Sequence, residues 1–147
     1  MSLLDTLKSD MIKAMKARDK DTLSVVRMLK AAVQNEQIEL GHDLTPDEEI
    51  SVLNREYKQR KESLAEFKKA GRDDLIKKTT AEMKVVEKYL PKQLPDDEVK
   101  AKVAEVIKEQ NASSMKDFGK VMGAAMKALK GQADGQLVNK TVKSLLQ

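Results

Sequence analysis

Apolar residues recur at spacings of three and four along most of this chain, and that period is typical of amphipathic α-helices. Ser2 is a candidate N-cap for a first helix that ends near Arg18, and Asp21 is a candidate N-cap for a second helix that runs through Leu40. Apolar residues cover much of the circumference of the second helix. We therefore expect it to be central and to contact neighbours on two sides.

A third helix is predicted by three start signals in order, because Thr45, Pro46 and Glu48 can supply a cap, a first-turn proline and a capping-box acid. Arg60 occupies a position that otherwise belongs to the apolar face of this helix. Its charge can reach water along an extended stem or meet a carboxylate of a neighbouring helix, and we favour the extended stem.

Gly71 is expected to end the third helix, and Asp73 or Asp74 to cap a fourth. Beyond the fourth helix, Pro91 and Pro95 cannot both lie within one uninterrupted helix. We therefore place a boundary there, between an N-terminal helical domain of residues 1–92 and a C-terminal domain of residues 93–147.

Three more helices are predicted in the C-terminal domain. Acidic residues open the fifth helix, Ser114 with Asp117 resembles a capping box for the sixth, and Asp134 can cap the seventh. Gly131 is expected to stop the sixth helix. The predicted fold class is all-α, with an N-terminal array of about four long helices followed by a C-terminal three-helix bundle.

Composition narrows the class of protein. The 147 residues include no cysteine, so disulfides and thiolate metal sites are excluded. The N-terminus does not resemble a secretory signal and no apolar run is long enough to cross a bilayer, so we expect a cytoplasmic protein without a membrane partner.

His42 stands beside a glycine in a predicted loop and is expected to be solvated. With no recognisable enzyme motif, we predict no catalytic residue, no metal site and no cofactor.

The positive charge is concentrated near the C-terminus, where residues 115–147 hold six lysines and two acids. If residues 116–130 form one α-helix, its four lysines fall within an arc of about 80°, opposite the apolar face. A one-sided field of this kind favours an anionic partner, although lysines also solvate ordinary exposed faces. Both interpretations stay open on charge alone. The candidate nucleic-acid-binding residues of the sixth and seventh helices are Lys116, Lys120, Lys127, Lys130, Lys140 and Lys143.

Gly119 and Gly123 lie within the predicted sixth helix, where each glycine costs about 1 kcal/mol relative to alanine. Such a cost suggests a close approach at this place. The approaching group is either a neighbouring helix, which we favour slightly, or a sugar-phosphate backbone.

Several segments resemble the GatB/YqeY family, and the likeness covers essentially the whole chain. The C-terminal segments resemble the tail that this family shares with the B subunit of tRNA-dependent (Asp/Glu) amidotransferases, and the earlier ones resemble the stand-alone YqeY branch. At Thr79 we would expect an acid from that resemblance, which puts in doubt any ion pair assigned there. The segments are Lys116-Asp-Phe-Gly-Lys-Val-Met-Gly, Lys130-Gly-Gln-Ala-Asp-Gly-Gln-Leu-Val-Asn-Lys, Arg27-Met-Leu-Lys-Ala-Ala, Arg60-Lys-Glu-Ser, Gly71-Arg-Asp-Asp-Leu and Tyr89-Leu-Pro-Lys-Gln-Leu.

The resemblance implies a role in contact with tRNA. If the matching positions have the same roles as in the amidotransferase tail, the lysines of the sixth helix would contact phosphate or sugar. Four glycines would set the backbone geometry. The catalytic part of the amidotransferase subunit has no counterpart in this sequence, so we expect a non-catalytic accessory protein that binds tRNA or another RNA, with a possible protein partner in translation or aminoacyl-tRNA metabolism. Two alternatives stay open, which are a helical protein-interaction adaptor and an auxiliary component of a carbon-nitrogen ligase complex that uses glutamine as amido-N-donor. The four glycines are Gly119, Gly123, Gly131 and Gly135.

Overall fold

A computed structural model describes residues 1–147 as seven α-helices and one short 3-10 turn, without a β-strand. The prediction of an all-α fold with four helices followed by three is confirmed. No helix combines the length and the apolar character that crossing a membrane requires. The helices are α1 (Leu3–Lys16), α2 (Lys20–Leu40), α3 (Pro46–Ala70), α4 (Asp73–Glu87), α5 (Asp96–Glu109), α6 (Phe118–Ala128) and α7 (Gly135–Leu146), and the 3-10 turn is Met115–Asp117.

The chain divides into two compact units, Met1–Leu90 with α1 to α4 and Pro91–Gln147 with α5 to α7. Each unit has its own buried aliphatic cluster. In the first unit α2 contacts α1, α3 and α4, which confirms its predicted central position. The first cluster includes Leu7, Val26, Leu29, Leu53 and Val86, and the second includes Val99, Val103, Val121, Val138 and Val142.

Short-range polar signals fix most of the helix starts. The predicted capping box of α3 is confirmed, because Thr45 Oγ1 accepts from the Glu48 N–H at 3.2 Å while Glu48 Oε1 accepts from the Thr45 N–H at 2.9 Å. The predicted cap of α2 is wrong by two residues. Asp19, rather than Asp21, caps this helix, and its Oδ1 accepts from the Thr22 N–H at 3.2 Å.

The start of α4 also differs from the prediction. Neither Asp73 nor Asp74 is its N-cap, since both lie in the first turn and Arg72 takes the cap position without a side-chain capping bond. The Arg72 guanidinium lies 3.1 Å from Asp74 Oδ2. The two acids therefore interact favourably with the positive end of the helix dipole, and Asp74 also pairs with Arg72, but neither makes a capping hydrogen bond.

Arg60 is buried, with 6% of its surface exposed, so the favoured extended stem is wrong. Its Nε donates to Glu82 Oε2 of α4 at 3.3 Å, and its Nη1 donates to Glu56 Oε2 at 3.0 Å. The carboxylates replace the water that an extended stem would have reached. The alternative of an ion pair with a neighbouring helix therefore holds, and the buried Thr79 does not prevent it because Glu82 supplies the acid.

The far ends of α3 and α4 extend beyond the core of the first unit. No residue between positions 61 and 78 is buried, and the aliphatic cluster of this unit has no member there. Leu64 and Phe67 are half-buried. Gly71 takes φ +67° at the turn, as its predicted place at the end of α3 requires.

His42 is exposed but not simply solvated, which corrects the prediction for this residue. Its Nε2 lies 3.0 Å from Glu48 Oε1, and Glu48 is the acid of the α3 capping box. The hydrogen bond to Glu48, followed by the charge of that carboxylate, raises the pKa of His42. His42 is thus a second hydrogen-bond partner of the Glu48 carboxylate, beside the Thr45 N–H of the α3 capping box.

Candidate nucleic-acid interface

The lysines predicted to form one helical stripe are divided among three kinds of local structure. Lys116 lies in the 3-10 turn, Lys120 and Lys127 lie in α6, and Lys130 follows the end of α6. The prediction of one continuous helix over residues 116–130 is therefore wrong at both ends. Lys120 and Lys127 keep the predicted relationship, since seven residues of α-helix turn through nearly two full turns and leave them about 20° apart.

Local hydrogen bonds account for the 3-10 turn before α6. Ser114 Oγ accepts from the Lys116 N–H at 3.4 Å, and Asp117 Oδ2 accepts from the Ser113 N–H at 3.1 Å. The predicted box is thus shifted, because the acid reaches the N–H one residue before Ser114. The bond between Ser114 and Lys116 spans two residues instead of the three of a capping box, which fits the tighter 3-10 geometry of this turn.

Hydrogen bonds also shape the turn after α6. Gly131 takes φ +77°, a conformation that side chains with a Cβ rarely adopt. Its carbonyl oxygen accepts an N–H from the Gln93 side chain, and the Leu94 N–H donates to the Gln132 carbonyl oxygen at 2.9 Å. Residues 93–94 therefore hold the turn in which Lys130 stands, a role for Gln93 that no local sequence signal indicates.

Two of the six lysines have contacts within their own unit. Lys120 Nζ donates to the carbonyl oxygen of Gln110, the C-cap residue of α5, at 3.2 Å. Lys143 Nζ lies 5.9 Å from the centre of the Phe118 ring, within the range of a cation–π interaction. These lysines connect α6 with α5 and α7, so their loss would affect folding as well as any partner.

The remaining lysines differ in exposure. Lys116, Lys127 and Lys140 are exposed, while Lys130 is half-buried. The three exposed lysines are the clearest candidates for contact with an external anion.

The two acids of this segment stabilise turns. Asp117 accepts from Ser113, as described above, and Asp134 Oδ1 accepts from the Gln136 N–H at 2.9 Å at the start of α7, which confirms Asp134 as its predicted cap. Six lysines against two acids with local structural roles leave a positive local field over residues 115–147.

Gly119 and Gly123 are exposed, and a Cβ added at either position would meet no atom within 4 Å. The favoured interpretation, close packing of a neighbouring helix, is therefore wrong for the helices of this chain. Gly135 is different, because its added Cβ would lie 3.4 Å from Met126 Cε. The two α6 glycines thus lower the intrinsic stability of their helix without any packing benefit inside the molecule.

Comparison with known proteins identifies relatives along nearly the whole chain. The model of the family described as Yqey-like protein matches residues 4–146. A relative from Pyrenophora tritici-repentis is 28% identical over 152 residues, covering 98% of this chain and 81% of the relative. One from Clavispora lusitaniae is 32% identical over 131 residues, covering 87% and 74% respectively. Both are named altered inheritance of mitochondria protein 41, mitochondrial.

These names bear on location and on family. The expected cytoplasmic location is wrong by this comparison, because the similar curated proteins are named as mitochondrial. A secretory signal is only one kind of targeting segment, so its absence does not distinguish the cytoplasm from a mitochondrion. The resemblance to the YqeY branch, in contrast, is confirmed by a match that leaves out only the chain ends. The chain belongs to the YqeY-like family.

Proposed function

We propose that this protein binds structured RNA, with tRNA as the class implied by its resemblance to the amidotransferase tail, through the lysines of its C-terminal unit. The observation that carries the proposal is the unbalanced charge of residues 115–147. Lys116, Lys127 and Lys140 are exposed, whereas both acids of the segment stabilise turns. Lysine ammonium groups at such positions can neutralise phosphates, which supplies most of the affinity in binding that does not depend on sequence.

The aromatic residues favour a folded RNA over an unstacked single strand. Proteins that bind single strands usually stack bases on exposed aromatic rings. All four aromatic side chains of this chain are half-buried, and two have polar partners within the first unit: Tyr57 Oη donates to Glu87 and Tyr89 Oη donates to Asp10. Recognition would then depend on backbone charge and shape, with little sequence discrimination.

The exposed α6 glycines fit this mode of binding. Gly119 and Gly123 present backbone without a side chain, and Lys120 and Lys127 lie on the same helix. A sugar-phosphate backbone could approach α6 more closely there than over larger side chains. Replacing both glycines by alanine is therefore expected to weaken RNA binding while leaving the fold intact.

The test is a salt titration of RNA affinity with two charge-matched variants. In the first, the exposed Lys116, Lys127 and Lys140 are replaced by glutamine. The plot of log affinity against log salt should then become shallower, with a slope smaller in magnitude by about two, because each phosphate contact contributes about 0.7 to 0.9. Absence of wild-type binding to total tRNA at low salt would contradict the proposal.

The control variant removes the same charge from lysines that already face acids. Lys13, Lys69 and Lys102 lie 4.0, 3.8 and 3.9 Å from a carboxylate oxygen of a neighbour on their own helix. Their replacement by glutamine should leave the salt slope close to that of the wild type. Equal losses in the two variants would mean that net charge alone, and not the C-terminal unit, determines the affinity.

A second candidate, a protein-interaction adaptor, is favoured by exposed apolar side chains near the same helix. Met115 and Met126 are 41% and 40% exposed, and the α6 glycines would let a partner helix approach closely. For this candidate, replacing both glycines by alanine should abolish the partner interaction, whereas glutamine at Lys116, Lys127 and Lys140 should not. The RNA proposal differs in the lysine variant, since glutamine at Lys116, Lys127 and Lys140 should itself weaken binding.

A further inference from the structure

A second group of lysines lies on one side of α4 and its C-cap residue, Lys88, in the unit 1–90. Lys77, Lys84 and Lys88 are all exposed, and at 100° per residue they fall within an arc of about 40°. We call these three residues the α4 lysine stripe. The eleven residue steps from Lys77 to Lys88 correspond to about 16 Å of helix axis, or about five nucleotide steps at 3.4 Å per strand.

Most of the acids on α4 are engaged elsewhere. Glu82 accepts from the Arg60 Nε at 3.3 Å, and Glu87 Oε1 accepts from the Tyr57 Oη at 2.7 Å, so both carboxylates are engaged by α3. Asp74 is paired with Arg72 at the turn, as described above. The fourth acid, Asp73, is exposed and lies one helical turn before Lys77, so it offsets part of the positive charge at that end. Along α4 the three lysines face this one further acid, which leaves the α4 lysine stripe with a net positive charge.

One carboxylate interacts with the end of the stripe. The pKa of Asp19 is lowered chiefly by its hydrogen bonds from Thr22, and to a smaller extent by the charge of Lys88. Asp19 is also the N-cap of α2, so this carboxylate is held at a helix start. Lys84 lies between the two ends of the stripe, away from both Asp73 and Asp19, and we expect it to contribute most to an external contact.

We propose that the α4 lysine stripe is a second contact for the phosphate backbone of RNA, separate from the lysines of the C-terminal unit. The inference rests on the proposed RNA-binding function and extends it to the first unit. An RNA is favoured over an acidic protein because the residues between the lysines include the small, exposed Ala81 and Thr80 but no large exposed apolar side chain. Protein interfaces usually depend on large buried anchors, whereas a phosphate backbone needs only positioned charges.

The experiment compares the full chain carrying glutamine at Lys77, Lys84 and Lys88 with the control variant at Lys13, Lys69 and Lys102. Both variants lose three positive charges at exposed helical positions. With total tRNA as the probe, the stripe variant should bind about fivefold to tenfold more weakly than the control, and its salt slope should be smaller by about two. Circular dichroism checks that the helix content is unchanged.

The outcomes separate this inference from the function on which it rests. If wild-type protein binds tRNA and the C-terminal variant is weakened, but the stripe variant matches the control, the α4 contact is refuted and the proposed function stands. If wild-type protein does not bind tRNA, both are refuted. If the stripe variant loses binding only to poly-L-glutamate, the surface serves an acidic protein and the RNA contact is refuted.

Discussion

Arg60 Nε lies 3.3 Å from Glu82 Oε2, and this contact joins α3 to α4 at a position where the neighbouring helical repeats are apolar. The same guanidinium donates to Glu56 and, through Nη2, contacts the sulfur of Met28 at 3.6 Å. One buried cation thus serves two carboxylates and touches α2. The arrangement couples three helices through a single side chain.

Replacing Arg60 by alanine should destabilise the protein by about 3 kcal/mol, because the change leaves Glu56 and Glu82 without their shared cation in a partly buried place. Urea denaturation followed by circular dichroism measures the loss. A triple variant with Arg60→Met, Glu56→Gln and Glu82→Gln removes all three charges and should recover most of the stability. If the triple variant is as unstable as Arg60→Ala, packing rather than charge accounts for the effect.

The contrast between Thr45 and Arg60 shows which parts of the fold the sequence could predict. The Thr45 cap depends on Glu48, three residues away, so local spacing was sufficient to predict it. Arg60 finds Glu82 across 22 residues, and which α4 residue faces it depends on how the two helices pack. A one-helix pattern contains no information on that register, so it cannot identify Glu82 as the partner of Arg60.

The same distinction applies to the candidate interface. The positions of Lys120 and Lys127 on one side of α6 follow from helical period, and the structure has them in one helix. The exposure of Gly123 depends on where α5 and α7 pack and could not be predicted from α6 alone. Gln93 reaches Gly131 across 38 residues, which is again beyond the range of a sequence pattern.

Alanine substitutions at two glycines should have opposite effects on stability. Gly123 lies inside α6 with open space around it, so Gly123→Ala should stabilise the protein by about 1 kcal/mol through helix propensity. Gly71 has φ +67°, so Gly71→Ala should destabilise it by about 1 kcal/mol. Urea denaturation of the two variants tests the pair. Destabilisation by Gly123→Ala would show that a neighbour occupies the space beside α6.

The contact between His42 and Glu48 should make stability depend on pH. The pKa of His42 is raised above its ordinary value of 6.5, mainly by its hydrogen bond to Glu48. A raised pKa means that the stabilisation is fully present below about pH 6.5 and is lost as pH rises through the higher, folded-state value. The difference in urea midpoint between wild type and His42→Gln should therefore be larger at about pH 5.5 than at about pH 8.5.

The ionisation of Glu48 sets the lower end of the pH range in which the contact between His42 and Glu48 stabilises the protein. Its pKa is lowered from 4.5, first by the hydrogen bond from the Thr45 backbone and then by His42. Its contribution is therefore present above about pH 4.5 and is lost as pH falls through the lower, folded-state value. The His42→Gln difference should thus be greatest between the two ordinary pKa values and should shrink in a Glu48→Gln background. A difference that is independent of pH would contradict the role given to this pair.

Glutamine substitutions at Lys143 and Lys140 should distinguish an effect on stability from an effect on partner binding at α7. Lys143 Nζ lies 5.9 Å from the centre of the Phe118 ring, whereas Lys140 is exposed and stands one turn earlier. Lys143→Gln should therefore cost about 0.5 kcal/mol of stability through the lost cation–π contact, and Lys140→Gln should change stability by less than that. A double-mutant cycle with Phe118→Leu measures the coupling between Lys143 and the ring. Zero coupling energy would remove the structural role of Lys143, and any loss of RNA affinity in Lys143→Gln would then report on RNA contact alone.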